Sequence, residues 1–329
     1  MLEKNEIIKA INNFSNKTIL IIGDVMVDSY VLGNVSRISP EAPVPIVALK
    51  SREERLGGAS NVALNIQSLG ATPILCSVIG NDETGIKFME LLSKQNISNH
   101  SIIIDKSRKT SKKTRIIAHN QHLLRVDDEI TENLGNKISE KLFNLINNNI
   151  QSSKIDAILF QDYNKGVINK EIINKVIQLA NKKNIPVLAD PKKINFNNYK
   201  NITLFKPNLK ELRQGLNTDL KIHNQTEIKK QLLQFLDMQN IQAILLTLSE
   251  YGVIICSKNE FYQIPAEIRD IADVSGAGDT VISIASLCLA SKIPLYETAF
   301  ISNLSGGIVC ESAGVIPINK EKLIKELSK

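Results

Sequence analysis

The 329-residue chain contains no tryptophan, and nine phenylalanines and six tyrosines bring its aromatic content to only 5%. Few rings are therefore available to stack on bases, and the basic residues are scattered rather than striped. Both features argue against a nucleic-acid partner, although Lys+Arg exceed Asp+Glu by 40 to 34 and the net charge is +6. The densest basic cluster, Arg108 to Arg115, reads as a solvated loop, and the overall excess suits phosphorylated small molecules. The four cysteines, Cys76, Cys256, Cys288 and Cys310, lie far apart without a CxxC pair, which excludes the common zinc and dithiol patterns. They read as buried thiols of a reducing compartment. His100, His119, His122 and His223 make no metal-spaced set. No apolar run approaches the roughly 20 residues of a membrane span, and Met1-Leu-Glu-Lys-Asn-Glu6 lacks the order of a signal peptide, so a cytoplasmic location is predicted. GxxxxGK[ST], HRD and DFG are all missing, as is a GxGxxG after the first predicted strand. These absences exclude a Walker loop, a protein-kinase site and a dinucleotide-dependent oxidoreductase.

What is present is an ordinary globular composition, 43% hydrophobic and 22% charged. Short β-branched runs alternate with amphipathic stretches: Thr18–Ile22, 61–69, Ile74–Ile79, 83–95, Ala157–Phe160, 170–183, Val187–Ala189, Leu204–Phe205 and Ala243–Thr247. Such alternation with short connections predicts an α/β fold, a mostly parallel sheet covered by helices on both faces. Two stretches break the rhythm, 31–49 with Pro40, Pro43 and Pro45, and 101–127 with apolar runs at 102–104, 115–118 and 122–126. They predict strands of a small sheet standing off the main one, a lid or a dimer contact, or else hairpins on the core edge. No internal repeat is found.

Near the C-terminus, Asp273-Val-Ser-Gly-Ala-Gly-Asp279 runs into an apolar, small-residue stretch at 281–290 that predicts a buried helix. Gly276 and Gly278 permit a tight turn in which successive backbone N–H groups at a helix start can point at one anion. Asp279 then falls in the first turn, where the helix dipole favours its ionised form and where it can take a proton from a hydroxyl. A simple Asp cap after a glycine turn would give the same letters. Upstream, the first strand ends in Gly23-Asp24-Val-Met-Val-Asp28, two carboxylates where open α/β sheets bind ligands. Asp28 can hold a pair of sugar hydroxyls; Asp24 can do so or can cap the turn. Gly57-Gly58-Ala-Ser-Asn61 opens a helix, so its amides and the Asn61 side chain can face the same cleft, or merely serve helix entry. Asn208 and Glu211 fit a capping box after a short strand, and Thr247, Ser249 and Gly252 fit either a phosphate-contacting turn or an ordinary hairpin. Asp190-Pro-Lys192 offers a carboxylate and a cation at another strand end, or a surface pair.

The Gly57-Gly58 turn and the Asp273–Asp279 box, over 200 residues apart, together resemble the two hallmark regions of the ribokinase-like (PfkB) carbohydrate kinases. Within that family the chain looks most like the D-glycero-β-D-manno-heptose-7-phosphate kinase branch. The resembling phrases are 23–28, 36–45, 53–62, 120–127, 162–166 and 207–211. The resemblance implies one three-layer ribokinase-like domain over 1–329, with lid strands from about 31–50 and 101–127 that often mediate a homodimer. It implies ATP as co-substrate with Mg²⁺, leaving a monovalent cation open. Asp279 would be the base, and Gly276, Ala277 and Gly278 the anion hole. Asp24, Asp28, Gly57, Gly58 and Asn61 would bind the sugar, while Arg125, Asp162 and Lys165 would contact substrate or phosphate. Asn208, Leu209, Lys210, Glu211, Thr247, Ser249 and Gly252 would hold the nucleotide, with Glu211 reaching the metal through water. Ser275 stands where those heptose kinases usually show Thr, and Ser60 where they show Ala. With no HxGH phrase in the chain, the expectation is a kinase without an adenylyltransferase domain, dependent on a separate adenylyltransferase.

Overall fold

The computed structural model describes residues 2–119 and 121–329; Met1 and Asn120, the latter opening the phrase 120–127, lie outside the described residues. The thirteen described strands are β1 (Thr18–Gly23), β2 (Val25–Ile38), β3 (Pro45–Gly58), β4 (Thr72–Gly80), β5 (Ile102–Asp105), β6 (Ser111–Ala118), β7 (Gln121–Asp128), β8 (Ala157–Gln161), β9 (Val187–Asp190), β10 (Leu204–Phe205), β11 (Ala243–Thr247), β12 (Val253–Ser257) and β13 (Phe261–Ile264). Nine form one sheet in the order β13-β12-β11-β10-β9-β8-β1-β4-β5. It is parallel throughout apart from the antiparallel β12 and β13 at one edge.

Alternation along β1 shows why the sheet is covered on both faces. Ile19 and Ile21 join one apolar cluster with the helices Ala59–Ser68, Ala277–Ala290 and Leu295–Cys310. Leu20 and Ile22 join a second with the helices Asn136–Ser152, Lys170–Lys182 and Gln225–Gln239. Side chains that point to opposite sides of a strand thus demand a helical layer on each side, giving three layers. The helix Ala277–Ala290 is apolar on nearly all its surface because it is sandwiched between the sheet and its neighbour Leu295–Cys310.

β1 lies between β8 and β4, so the chain leaves it toward β4 on one side and reaches β8 on the other. The strand order reverses there, opening a crevice at the carboxyl ends of β1, β8, β9 and β10. Directly after β1 the chain enters a second sheet, β3-β2-β6-β7, with a long antiparallel β2–β3 ribbon, parallel β2–β6 and antiparallel β6–β7 pairing. The expectation for 101–127 needs one correction: Ile102–Ile104 does not join the small sheet but pairs in parallel with β4 at the edge of the large one. A short run of isoleucines carries no mark of which sheet edge it will meet.

The small sheet returns to the large one through Gly58. Its φ of +61° with ψ of −136° lies in a region nearly restricted to glycine, and a Cβ there would stand 2.4 Å from the Asp24 carbonyl oxygen. That carbonyl also accepts the Ala59 N–H at 2.9 Å, fixing the helix entry against the end of β1. Gly58→Ala is expected to lower unfolding free energy by about 1–3 kcal/mol, to be read as a shift in the midpoint of a denaturant titration.

Candidate active site

Asp279 stands in the first turn of the helix Ala277–Ala290, whose N-cap is Gly276 at φ +83° rather than the aspartate itself. Only 6% of its surface is exposed, and three side-chain donors hold its carboxylate. Asn61 Nδ2 donates to Oδ2 at 2.8 Å, while Gln161 Nε2 at 3.0 Å and the Tyr163 hydroxyl at 2.6 Å donate to Oδ1. Burial pushes its carboxyl up to about 6, against the pull of the Asn61 and Tyr163 donors toward the ionised form. A carboxylate poised there is ionised at neutral pH and still basic enough to accept a proton. Of the anion-hole amides anticipated from Asp273–Asp279, that of Ala277 donates to the Val274 carbonyl at 3.3 Å. Asp273, first residue of that segment, accepts the N–H groups of Ser275 (2.9 Å) and Gly314 (3.0 Å), which pins the turn.

Beside Asp279 opens a cavity of about 1000 Å³. Its lining brings together Gly276, Ala277, Gly278 and Asp279 with Asn208, Leu209, Lys210, Glu211, Thr247, Ser249 and Gly252. Asn208 and Glu211 do form the capping box, the Asn side chain accepting Glu211 N–H at 2.8 Å and the Glu side chain accepting Asn208 N–H at 2.8 Å. Glu211 also pairs with Lys192. Thr247 ends β11 in an antiparallel hairpin with β12, and Ser249, at φ +56°, turns between them. Asp190 and Lys192 are no surface pair: Asp190 is buried and holds Lys206 Nζ at 3.0 Å. Lys206, 3% exposed, sits 3.6 Å from where a Cβ on Gly278 would be.

On the other side, Asp28 is buried and accepts Arg115 Nη1 at 2.5 Å, and a Cβ on Gly57 would meet Asp28 Oδ2 at 2.2 Å. Arg115 and Arg55 both stack over the Tyr30 ring. Asn61 links this side to Asp279. Four anticipated residues are placed elsewhere. Asp24, 1% exposed, spends its carboxylate on the backbone N–H groups of Tyr163, Lys165 and Val167. Burial raises its pKa, opposed by those three donors. Asp162 accepts Asn195 Nδ2 and the Tyr199 hydroxyl, each at 3.0 Å, and the Asn164 N–H, with burial pushing its carboxyl up to about 6. Both serve the loop after β8 rather than the cavity. Arg125 lies exposed on β7 and pairs with Asp127. Lys165 Nζ reaches Glu129 at 2.5 Å. Sequence reasoning gave no role to Gln161, Tyr163, Lys206 or Arg115. Their only advance signal was position, at the carboxyl ends of β8 and β10 and on the small sheet.

The family described as pfkB family carbohydrate kinase matches residues 16–322. The chain is 40% identical over 298 residues to the bifunctional protein HldE of Helicobacter pylori (strain J99), covering 91% of this chain and 64% of that protein. It is 39% identical over 306 residues to the bifunctional protein HldE of Sulfurimonas denitrificans, covering 93% of this chain and 63% of that protein. The chain therefore spans a little under two thirds of these relatives. Among solved structures it is similar to Escherichia coli phosphofructokinase-2 in complex with substrates and products, with a TM-score of 0.79, 18% identity and coverage of 95% and 100% of the two chains. It is similar too to Arabidopsis thaliana ribokinase complexed with ribose and ATP, with a TM-score of 0.70, 15% identity and coverage of 94% and 98%. At those identities the solved structures speak for the fold, and the fold, the glycine turns and the extent of the family match agree: the chain belongs to the pfkB family of carbohydrate kinases.

Proposed function

We propose that this carbohydrate kinase transfers the γ-phosphoryl group of ATP to the anomeric hydroxyl of D-glycero-β-D-manno-heptose 7-phosphate, giving the 1,7-bisphosphate used for ADP-heptose and lipopolysaccharide core. The observation that carries the reaction is the buried Asp279 between two binding faces, joined through Asn61 to the Gly57-Gly58 turn and open to the cavity lined by Asn208 to Glu211. The choice of sugar rests on the phrases 23–28, 36–45 and 53–62 and on the HldE relatives.

In this reading Asp279 orients the hydroxyl and accepts its proton as the oxygen attacks the γ-phosphorus in line. Backbone N–H groups of the Gly276–Gly278 turn, with the ammonium groups of Lys206 and Lys192 nearby, stabilise charge on the transferring group. Asp28, Gly57, Gly58 and Asn61 hold the sugar, with Arg115 keeping Asp28 in place. Thr247, Ser249 and Gly252 face the nucleotide with Asn208, Leu209 and Lys210. Closure of the small sheet excludes water. Its exposed Leu49, Leu124 and Val126 suit a homodimer contact. Among the described residues no group of three His, Cys, Asp or Glu could cage a metal. Glu211 has both oxygens engaged, so it would reach Mg²⁺ through water, the metal arriving on the triphosphate as Mg²⁺ commonly does and there neutralising phosphate charge.

A panel of ATP-consumption assays with heptose 7-phosphate, ribose, fructose and fructose 6-phosphate tests the reading. Heptose 7-phosphate is expected to be turned over with the highest kcat/KM, and preference for another sugar would replace the substrate while leaving the kinase. Asp279→Asn is expected to keep fold and ATP binding while turnover falls by about 10²-fold or more; near-parental rates would refute Asp279 as the base. Because that base must be ionised and its carboxyl is raised from 3.8 to about 6, kcat/KM is expected to fall as pH drops through about 6. An acid limb near pH 4 would contradict it. Glu211→Gln keeps a capping-competent side chain, so stability should change by under about 0.5 kcal/mol. The KM for ATP-Mg²⁺ should rise by about tenfold. The two readouts separate capping from nucleotide binding.

A further inference from the structure

Two of the three side-chain donors to Asp279 come from the end of β8 and the loop that follows it, and the loop has few other ways to lie. Asp24, fully buried, takes the N–H groups of Tyr163 at 2.8 Å, Lys165 at 3.1 Å and Val167 at 3.0 Å. Asn164 at φ +54° and Gly166 at φ +84° make the bends between them, and a Cβ on Gly166 would stand 1.9 Å from the Glu132 carbonyl oxygen. One buried carboxylate thus fixes three successive alternate amides and delivers the Tyr163 hydroxyl to within 2.6 Å of Asp279 Oδ1. Gln161, at the end of β8, donates to the same oxygen at 3.0 Å and to Asp190 Oδ2 at 3.2 Å.

We propose that Tyr163 is a positioning residue of the phosphoryl transfer: with Gln161 it occupies Asp279 Oδ1 and so assigns proton acceptance to Oδ2. An ionised carboxylate oxygen offers about two lone-pair directions. Oδ1 spends both on Tyr163 and Gln161, whereas Oδ2, among the described residues, accepts only Asn61 and keeps one for a substrate hydroxyl. The same donors hold the carboxylate against rotation, so the free lone pair keeps one direction. Burial keeps Tyr163 protonated and hence a donor. Other charged groups facing the pair are Asp190 and Lys206 beside Asp279, and Lys192, whose Nζ lies 5.5 Å from the Tyr163 ring centre. The inference rests on Asp279 being the base.

The test is Tyr163→Phe, which removes one oxygen and leaves the ring and the loop amides. In ¹³C-aspartate-labelled protein without ligand, the Asp279 carboxyl signal, assigned by its loss in Asp279→Asn, should titrate about one pH unit higher in Tyr163→Phe, because a donor to the ionised form is gone. The acid limb of kcat for ATP-dependent phosphorylation of heptose 7-phosphate should move up with it, and kcat should fall on the plateau while the KM for ATP stays at its parental value. Gln161→Met, which removes the second donor to the same oxygen, should shift the signal in the same direction and serves if Tyr163→Phe proves unstable. An unmoved carboxyl titration, or a loss confined to KM, overturns the proposal. If Asp279→Asn remains active, the base assignment falls, and the carboxyl titration still decides whether Tyr163 governs the charge of that group.

Discussion

The site depends on keeping one carboxylate, Asp279, out of water while giving it enough donors to stay ionised. Removing a carboxylate from solvent is costly unless its oxygens are satisfied. Here the compensation comes from two separated segments: Asn61 from the helix after the Gly-Gly turn, and Gln161 and Tyr163 from the end of β8 and the loop after it. These segments meet because β1 sits at the strand-order reversal between β8 and β4. The sheet therefore does more than support a pocket. Its topology solves the electrostatic problem of a buried carboxylate, and a change in either segment reaches the same group.

Around that group, charge is arranged in buried or half-buried pairs rather than as free lysines. Lys206 is held by Asp190, and Lys192 lies between Asp190 and Glu211. In the proposed reaction a triphosphate entering the cavity would meet ammonium groups whose positions are already set, so little reorganisation would be needed as charge develops. The arrangement also keeps those carboxylates from repelling the phosphates, since each faces a cation. Glu211 adds a structural duty, closing the start of the helix Leu209–Leu216 with Asn208. Binding surface and helix cap are there one object.

The layers were legible because periodicity reports burial directly: β1, β4, β8, β9 and β11 announced themselves as β-branched runs, and the segment Asp273–Asp279, running into the helix Ala277–Ala290, combined two glycines with two acids. The cavity-lining residues at 208–211 and 247–252 were legible as turns at strand ends. Ile102–Ile104 went to the wrong sheet because three isoleucines fit any edge. Asp24 left its alternatives open because a carboxylate after a strand can bind a ligand or backbone, and only the path of residues 163–167, over a hundred positions away, decides which. Tyr163 and Gln161 were hidden for the same reason: no local pattern separates a tyrosine that packs from one that donates to a distant acid. The sequence carries such roles only through the fold that makes them neighbours.

The β2–β3 ribbon has a consequence beyond its outline. Asp24 alone separates Gly23, which closes β1, from Val25, which opens β2, and β3 ends at Gly58, just before the helix carrying Asn61. Both feet of the ribbon therefore stand beside Asp279: one on Asp24, which grips the Tyr163 loop, the other on the helix whose Asn61 holds Oδ2. The ribbon is a lever with its fulcrum at the chemistry. Its two ends are tied to the two sets of donors that hold Asp279, so the position of the outer sheet and the alignment of that carboxylate are coupled through the same few residues.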